Sequence, residues 1–199
     1  MSETLLWQIA FGVVITCWLL FIVVFFGRKR PPGAKEQKRV STSFGAVALQ
    51  GLGFAAAWNL RRPWFTPIFP AAMPVQVVMA LIAIGLAALT VWLVSASVRT
   101  LGKQWTIVAR VVEGHQLITS GPYRIVRHPI YCGMFMIMLA TALVISHWLG
   151  LVIAVVLYTI GAVWRIAIEE KLLIETFGNQ YLEYKRKVPA FIPWKLSTQ

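Results

Sequence analysis

Five long runs of apolar residues limit what this chain can fold into. A helix that crosses a bilayer needs roughly 17–25 predominantly apolar residues. Because lipid offers no hydrogen-bond partners to the backbone, membrane-spanning segments of this kind form helices. The runs cover about residues 4–26, 43–60, 75–98, 129–146 and 148–164. We therefore expect an all-α integral membrane protein with five transmembrane helices.

The overall composition agrees with that class. Hydrophobic residues make up 58% of the 199 residues and charged residues 13%, which lies outside the usage of soluble globular proteins. We expect a single membrane domain over residues 1–199, with three N-terminal helices in 1–98. The second half, 99–199, combines a transmembrane hairpin at 129–164 with a long polar loop before it and a polar tail after it.

The chain is strongly basic, with a formal net charge of +12. In a soluble protein this excess would suggest nucleic acid binding. Here the cations flank apolar runs, as in the basic segment 28–39, so we exclude nucleic acid and expect contact with anionic lipid headgroups. Two cysteines and three histidines without metal-ligand spacing predict neither a disulfide framework nor a metal site.

Lysine and arginine are distributed unevenly between the two sides of the predicted bundle. Loop 27–42 carries six, loop 99–128 carries five and the tail from residue 165 carries six, whereas the opposite side carries only Arg61 and Arg62. Cytoplasmic loops of membrane proteins are enriched in these residues. We therefore expect an outside N-terminus, a cytoplasmic C-terminus and an active site that faces the cytoplasm.

A polar cluster ends loop 99–128, directly before an apolar run. Proline favours the first turn of a helix, so we expect the helix to begin at Pro129 with His128 near its N-cap. The free N–H groups at a helix N-terminus attract a carboxylate or phosphate, and Arg127 adds positive charge there. The alternative interpretation is an interfacial anchor with an aromatic belt.

The same loop contains an alternation of polar and apolar residues at His115-Gln116-Leu117-Ile118. Alternation of this kind is typical of an extended segment. Such a segment could offer backbone groups to a purine or a ribose, although many surface strands show the same pattern.

A second polar cluster, Arg165 to Glu170, follows the last apolar run. Arg165 and Glu169 are four residues apart, so they share a helical face and can pair. Because the last two apolar runs form a tight hairpin, this cluster must return to the membrane face that carries His128. Glu169 could hold a ligand ammonium and Arg165 an anionic group, unless the pair is an ordinary surface ion pair on an interfacial helix.

Two glycine patterns bear on the helices themselves. Gly178 is a plausible end for a helix that continues through 165–177, and the tyrosines and lysines of the short segment 181–188 suit a membrane interface. Gly51-Leu52-Gly53 lies inside an apolar run and has no strand before it, so we interpret it as a helix-packing face.

Together the polar motifs resemble those of the isoprenylcysteine carboxyl methyltransferase family, which belongs with the membrane phospholipid methyltransferases. The resemblance covers about residues 100–194. Its first motif is Gly-Pro-Tyr-(x)3-Arg-His-Pro-x-Tyr-x-Gly at 121–133. Arg-x-x-x-Glu-Glu follows at 165–170, and Phe-Gly-x-x-Tyr-x-x-Tyr at 177–184. The resemblance implies that 99–199 is a methyltransferase core that binds S-adenosyl-L-methionine.

The resemblance also implies roles for individual residues. For Arg165 it implies a role on the substrate side of the site. We add Arg127 to the predicted cofactor-binding residues, because it is a cation beside the helix N-terminus. The implied cofactor-binding residues are His115, Gln116, Leu117, Ile118, Tyr123, His128, Pro129, Ile130, Tyr131 and Glu169.

The methyl acceptor is expected to be lipophilic or prenylated and to enter from the bilayer. If it is a carboxylate, it is already ionised near neutral pH and needs no general base, and Arg165 could orient it through two hydrogen bonds. If it is an amine, such as phosphatidylethanolamine, a proton must leave, and Glu170 or Glu169 becomes a candidate base. The presence of Arg165 makes an anionic acceptor or a phosphate-bearing lipid the favoured hypothesis.

Two other function classes stay open at this stage. A membrane reductase that uses NADPH could carry similar polar loops, with segment 28–39 binding the 2′-phosphate. A non-enzymatic scaffold could associate with other membrane proteins through glycine-rich faces that include Gly51 and Gly85. A scaffold has no use for the clustered polar residues, which argues against it.

Overall fold

A computed structural model describes residues 2–27, 36–39, 44–105, 110–112 and 116–191. Within these ranges the six α-helices are α1 (Glu3–Phe26), α2 (Phe44–Asn59), α3 (Met73–Leu101), α4 (Pro129–Ile145), α5 (Trp148–Phe177) and α6 (Asn179–Lys187). Short 3-10 turns occupy Gly102–Gln104 and Gly121–Arg124. Each predicted apolar run is therefore helical.

The described residues are predominantly helical, as expected, with one short strand pair in addition. Strands β1 (Glu36–Arg39) and β2 (Arg110–Val112) form an antiparallel ribbon, in which Glu36 pairs with Val112 and Arg39 with Arg110. The ribbon joins the loop after α1 to the loop after α3. Strands of four and three residues are too short to show a hydrophobic alternation, so the sequence pattern did not predict them.

Three of the helices are long and apolar enough to cross a membrane, namely α1, α3 and α5, with 24, 29 and 30 residues. Helix α4 is apolar but has only 17 residues, and α2 has 16. The chain therefore has the composition of an integral membrane protein, whereas a count of five spans stays a prediction.

Glycines allow α2 and α5 to pack closely along their length. A Cβ at Gly53 would lie 3.0 Å from the carbonyl oxygen of Ala154, and one at Gly161 would lie 2.7 Å from the carbonyl oxygen of Ala46. Small residues at such crossings let helix backbones approach each other in lipid. The helix-packing interpretation is thus confirmed at Gly53.

Gly51 and Gly85 do not take part in such a crossing. A Cβ at either position would meet nothing within 4 Å. Gly51 instead lines a cavity. The expectation that Gly51 serves helix packing is therefore wrong, because α2 turns Gly53 rather than Gly51 towards α5.

Helices α1, α3 and α4 form the other half of the bundle around a buried cluster that includes Trp7, Ala83 and Ile137. The indole of Trp7 donates to Oε1 of Gln76 at 3.2 Å. Nε2 of Gln76 in turn donates to Glu3 at 2.7 Å and to the carbonyl oxygen of Ala71 at 2.8 Å. Both ends of this buried amide are therefore satisfied.

Arg62 closes the end of the bundle that carries the α4–α5 turn. Its guanidinium donates to the carbonyl oxygens of Leu143, Val144 and Ser146 at 2.9, 2.7 and 2.5 Å. These carbonyls belong to the C-terminal turn of α4, where no intrahelical donor remains. Arg62 thus caps the hairpin at the end opposite to the polar clusters.

Candidate active site

A cavity of about 400 Å³ lies where the start of α4 meets the C-terminal half of α5. It brings together nearly all the residues that the sequence singled out, from three separate stretches of the chain. Those that line it are Gln116, Leu117, Ile118, Tyr123, Arg127, His128, Pro129, Ile130, Tyr131, Arg165 and Glu169. His115 lies outside the described residues.

The backbone around His128 is held by the C-terminal tail. Helix α4 begins at Pro129 with His128 as its N-cap residue, which confirms the predicted boundary. The N–H groups of Arg127 and His128 donate to the carbonyl oxygens of Pro189 and Ala190 at 2.9 and 3.1 Å. The tail thus fixes the entry into α4, whose first residues Pro129, Ile130 and Tyr131 line the cavity.

The His128 imidazole lies between two carboxylates that are adjacent in sequence. Its Nδ1 is 3.8 Å from Oε2 of Glu169 and its Nε2 is 3.4 Å from Oε1 of Glu170. The side chain is only 6% exposed, and within the described part of the chain Nε2 has no partner in hydrogen-bonding geometry. The ring of Tyr131 stacks on the imidazole with centroids 5.8 Å apart.

Glu169 is the acidic centre of the cavity. Oε1 accepts from the hydroxyl of Tyr131 and lies 3.3 Å from Nε of Arg165, which confirms the predicted pair. The guanidinium carbon of Arg165 is 5.4 Å from the centroid of the Tyr131 ring. Because these contacts use Oε1, Oε2 is the oxygen directed towards His128 and available to a ligand.

Glu170 does not line the cavity, although it was considered as a base. Arg127 donates to its Oε1 through Nε and Nη2 at 2.8 and 2.6 Å, and Lys185 lies 2.7 Å from Oε2. Cations at this distance stabilise the ionised carboxylate, so it is a weak proton acceptor. The structure therefore places Glu170 in an ion cluster that supports the site.

Arg127 has a comparable supporting position. Besides Glu170, its Nη1 donates to the carbonyl oxygens of Lys185, at 3.1 Å, and Val188. Its side chain is 7% exposed. Arg127 borders the cavity, but these contacts direct its guanidinium towards α6 and the tail.

Polar contacts also order the loop that precedes α4. The N–H of Gln116 donates to Oε1 of Gln104 at 2.8 Å, and the hydroxyl of Tyr184 donates to the carbonyl oxygen of Tyr123 at 2.5 Å. Burial raises the pKa of the Tyr123 phenol, so this side chain stays neutral. Gln116, Leu117, Ile118 and Tyr123 of this loop thus form part of the cavity wall.

The sequence did not predict the remaining walls. Apolar residues of a membrane helix give no local sign of whether they face lipid, a neighbour or a cavity. Gln50 is the exception, since a polar residue inside an apolar run is a signal for a functional position. The lining residues without a predicted role are Phe25, Val47, Gln50, Gly51, Phe54, Leu101, Gln104, Trp105, Met134, Leu172, Leu173, Phe177, Tyr181 and Tyr184.

The described residues contain no cluster of three or more His, Cys, Asp or Glu side chains that could hold a metal ion. The site instead combines a carboxylate, a guanidinium, an imidazole and several aromatic faces. This set can bind a ligand that carries both an ammonium and a carboxylate group.

Comparison with known proteins places this site in a known context. The family described as phospholipid methyltransferase matches residues 78–180, just over half of the chain. Protein-S-isoprenylcysteine O-methyltransferase A of Arabidopsis thaliana is 36% identical over 102 residues, which are 50% of this chain and 51% of that protein.

Two further relatives also match part of the chain. The protein-S-isoprenylcysteine O-methyltransferase of Schizosaccharomyces pombe is 32% identical over 114 residues, 56% of this chain and 48% of its own length. Methanethiol S-methyltransferase 1 of Bradyrhizobium diazoefficiens is 37% identical over 76 residues, 38% of this chain and 25% of its own. The chain spans about half the length of the first curated relatives it matches.

Proposed function

Since this chain belongs to the phospholipid methyltransferase family, we propose that it transfers a methyl group from S-adenosyl-L-methionine to a lipophilic acceptor in the membrane. The observation that carries the proposal is the convergence of His128, Tyr131, Arg165 and Glu169 on one cavity. All four residues lie in the segment that matches the family.

The donor set of the cavity fits the cofactor. Oε2 of Glu169 would bind the ammonium group, and the first turn of α4 with His128 would bind the carboxylate, because a helix N-terminus favours anions. Tyr131 offers an aromatic face that attracts a cation. The ordered wall that contains Leu117 and Ile118 would bind the purine. When bound, the cofactor supplies an electrophilic methyl group on a sulfonium.

Arg165 would hold the acceptor. Methyl transfer is a displacement in line with the departing sulfur, so the protein acts mainly by positioning the reactants and excluding water. A carboxylate acceptor needs no base, and the ion cluster around Glu170 makes that residue a poor one. We therefore favour an anionic acceptor, either the carboxylate of an isoprenylcysteine-like molecule or a phospholipid headgroup.

The acceptor would enter from the bilayer. Val47 and Gly51 line the cavity and are exposed on the outer face of α2, so an apolar chain could extend from the site into lipid. We propose five membrane-spanning helices, with the cavity at the cytoplasmic face and the basic loops on anionic headgroups. The positive-inside distribution of lysine and arginine supports this orientation.

Binding and turnover of the purified full chain test this function. In lipid nanodiscs, S-adenosylhomocysteine should bind in a calorimetric titration, and His128→Ala should weaken it. A radiolabelled methyl group should pass to a farnesylated cysteine or to a phospholipid. Absence of both binding and transfer would refute the proposal. Thermal protection by NADPH but not by S-adenosylhomocysteine would instead indicate a reductase.

A further inference from the structure

Helix α2 carries a buried polar side chain at the cavity. This helix lies outside residues 78–180, the segment that matches the family. Gln50 is only 3% exposed and lines the cavity together with Val47, Gly51 and Phe54 of the same helix. Its Nε2 has no hydrogen-bond partner among the described residues. An unpaired buried donor is unfavourable, so packing alone gives no reason for a glutamine here.

Helix α5 is shaped to seat this side chain. A Cβ at Gly161 would lie 3.0 Å from Cγ of Gln50 and 2.9 Å from its backbone nitrogen. The glycine that lets the two helix backbones approach each other also brings α5 into contact with the stem of Gln50. The stem of Gln50 thus packs directly against the α5 backbone.

Arg165 lies one helical turn beyond Gly161 on α5. Arg165 and Gln50 both line the cavity, and they reach it from two helices that pack along each other. The residues with predicted cofactor contacts come from α4, α5 and the loop before α4. Gln50 therefore reaches the cavity from a helix that carries none of the predicted cofactor contacts.

We propose that Gln50 determines acceptor specificity by donating a hydrogen bond to a neutral carbonyl oxygen next to the reacting anion. This inference rests on the proposed methyl transfer, with Arg165 as the partner of the anion. A guanidinium suits a carboxylate, whereas a neutral amide suits an uncharged carbonyl oxygen. A cysteine derivative acylated on nitrogen carries both groups a few bonds apart.

A site with a buried unpaired donor selects against ligands that cannot satisfy it. The enzyme should therefore prefer an N-acylated S-farnesylcysteine to an S-farnesylated mercaptocarboxylic acid of the same chain length. The second compound keeps the thioether and the carboxylate but lacks the acylamino group. The preference should appear in the KM for the acceptor, because the contact is made to a group that does not react.

The test compares Gln50→Leu with Gln76→Leu in the full chain. Gln50→Leu should raise the acceptor KM for the acylated substrate by roughly three- to tenfold, as for a lost neutral hydrogen bond. Gln50→Leu should leave the KM for the mercaptocarboxylic acid, the affinity for S-adenosylhomocysteine and the Tm essentially unchanged. Gln76→Leu, whose amide is fully paired within the bundle, should lower the Tm without altering the preference between substrates.

Each other outcome overturns the inference. Equal KM values for the acylated substrate in wild type and Gln50→Leu would show that the amide does not contact the acceptor. A weaker S-adenosylhomocysteine affinity in Gln50→Leu would place the amide at the cofactor. Both results leave the proposed function intact, whereas a wild-type chain that neither binds S-adenosylhomocysteine nor transfers methyl would refute that function itself.

Discussion

Nδ1 of His128 lies 3.8 Å from Oε2 of Glu169, although 41 positions separate the two residues in the chain. The α4–α5 hairpin brings them together, because α4 begins directly after His128 and α5 continues past the apolar run to Glu169. The sequence predicted only that the hairpin returns both residues to the same membrane face. In the structure their side chains are direct neighbours that line one cavity.

The neutral replacement Glu169→Gln should weaken cofactor binding. The amide keeps the shape of the carboxylate but lacks the charge that would hold an ammonium. We expect a loss of about 1.5–3 kcal/mol in S-adenosylhomocysteine affinity, the range for hydrogen bonds to charged groups, measured by isothermal titration. Glu183→Gln, at an exposed position on α6 outside the cavity, is the control. An unchanged isotherm for Glu169→Gln would contradict its assignment.

Arg165→Lys should retain cofactor affinity but reduce turnover. Lysine keeps the positive charge but cannot form the planar fork that orients a carboxylate. We expect kcat to fall by about tenfold or more, equivalent to ~1.4 kcal/mol of transition-state stabilisation. Arg124→Lys, an exposed position that does not line the cavity, should turn over at the wild-type rate. Wild-type kcat in Arg165→Lys would show that the guanidinium does not orient the acceptor.

Glu170→Gln should destabilise the protein. The carboxylate is the ionic partner of Arg127, and both side chains are less than one-tenth exposed. Removing one member of a buried ion pair costs about 3–5 kcal/mol, which a thermal or denaturant unfolding curve would detect. Lys185→Met removes a partner that is 43% exposed, so its effect should stay near ~0–1 kcal/mol. A loss of activity in Glu170→Gln without any change in stability would favour a catalytic role instead.

Gly51→Leu and Gly53→Leu should affect different properties: the first should lower methyl transfer, and the second should lower stability. At Gly51 a side chain enters open space at the cavity, so the Tm should be unchanged while methyl transfer falls because the acceptor path is filled. At Gly53 it meets the α5 backbone at 3.0 Å, and overpacking of this kind costs about 1–3 kcal/mol. Full activity in Gly51→Leu would show that the acceptor does not pass this face of α2.

Much of the local structure could be predicted from sequence because it depends on neighbours along the chain. Length and apolarity predict the helices, and a proline favours the start of α4 at Pro129. Gly178, with φ of +53°, ends α5 in a conformation that glycine adopts readily. The pairing of Arg165 with Glu169 follows from their spacing of four residues within one helix.

The remaining features of the site depend on how the helices are rotated and docked. A rotation of α2 about its axis decides that Gly53 meets α5 while Gln50 and Gly51 reach the cavity, and no spacing rule specifies that angle when every face of a helix is apolar or small. Glu170 likewise differs from Glu169 only through its contacts with Arg127 and Lys185, which tertiary folding brings from distant positions. The sequence by itself determined the helices and the chemical groups near their ends, because short-range interactions control both. Only the tertiary structure decided which of those groups face one another, because helix packing sets that arrangement.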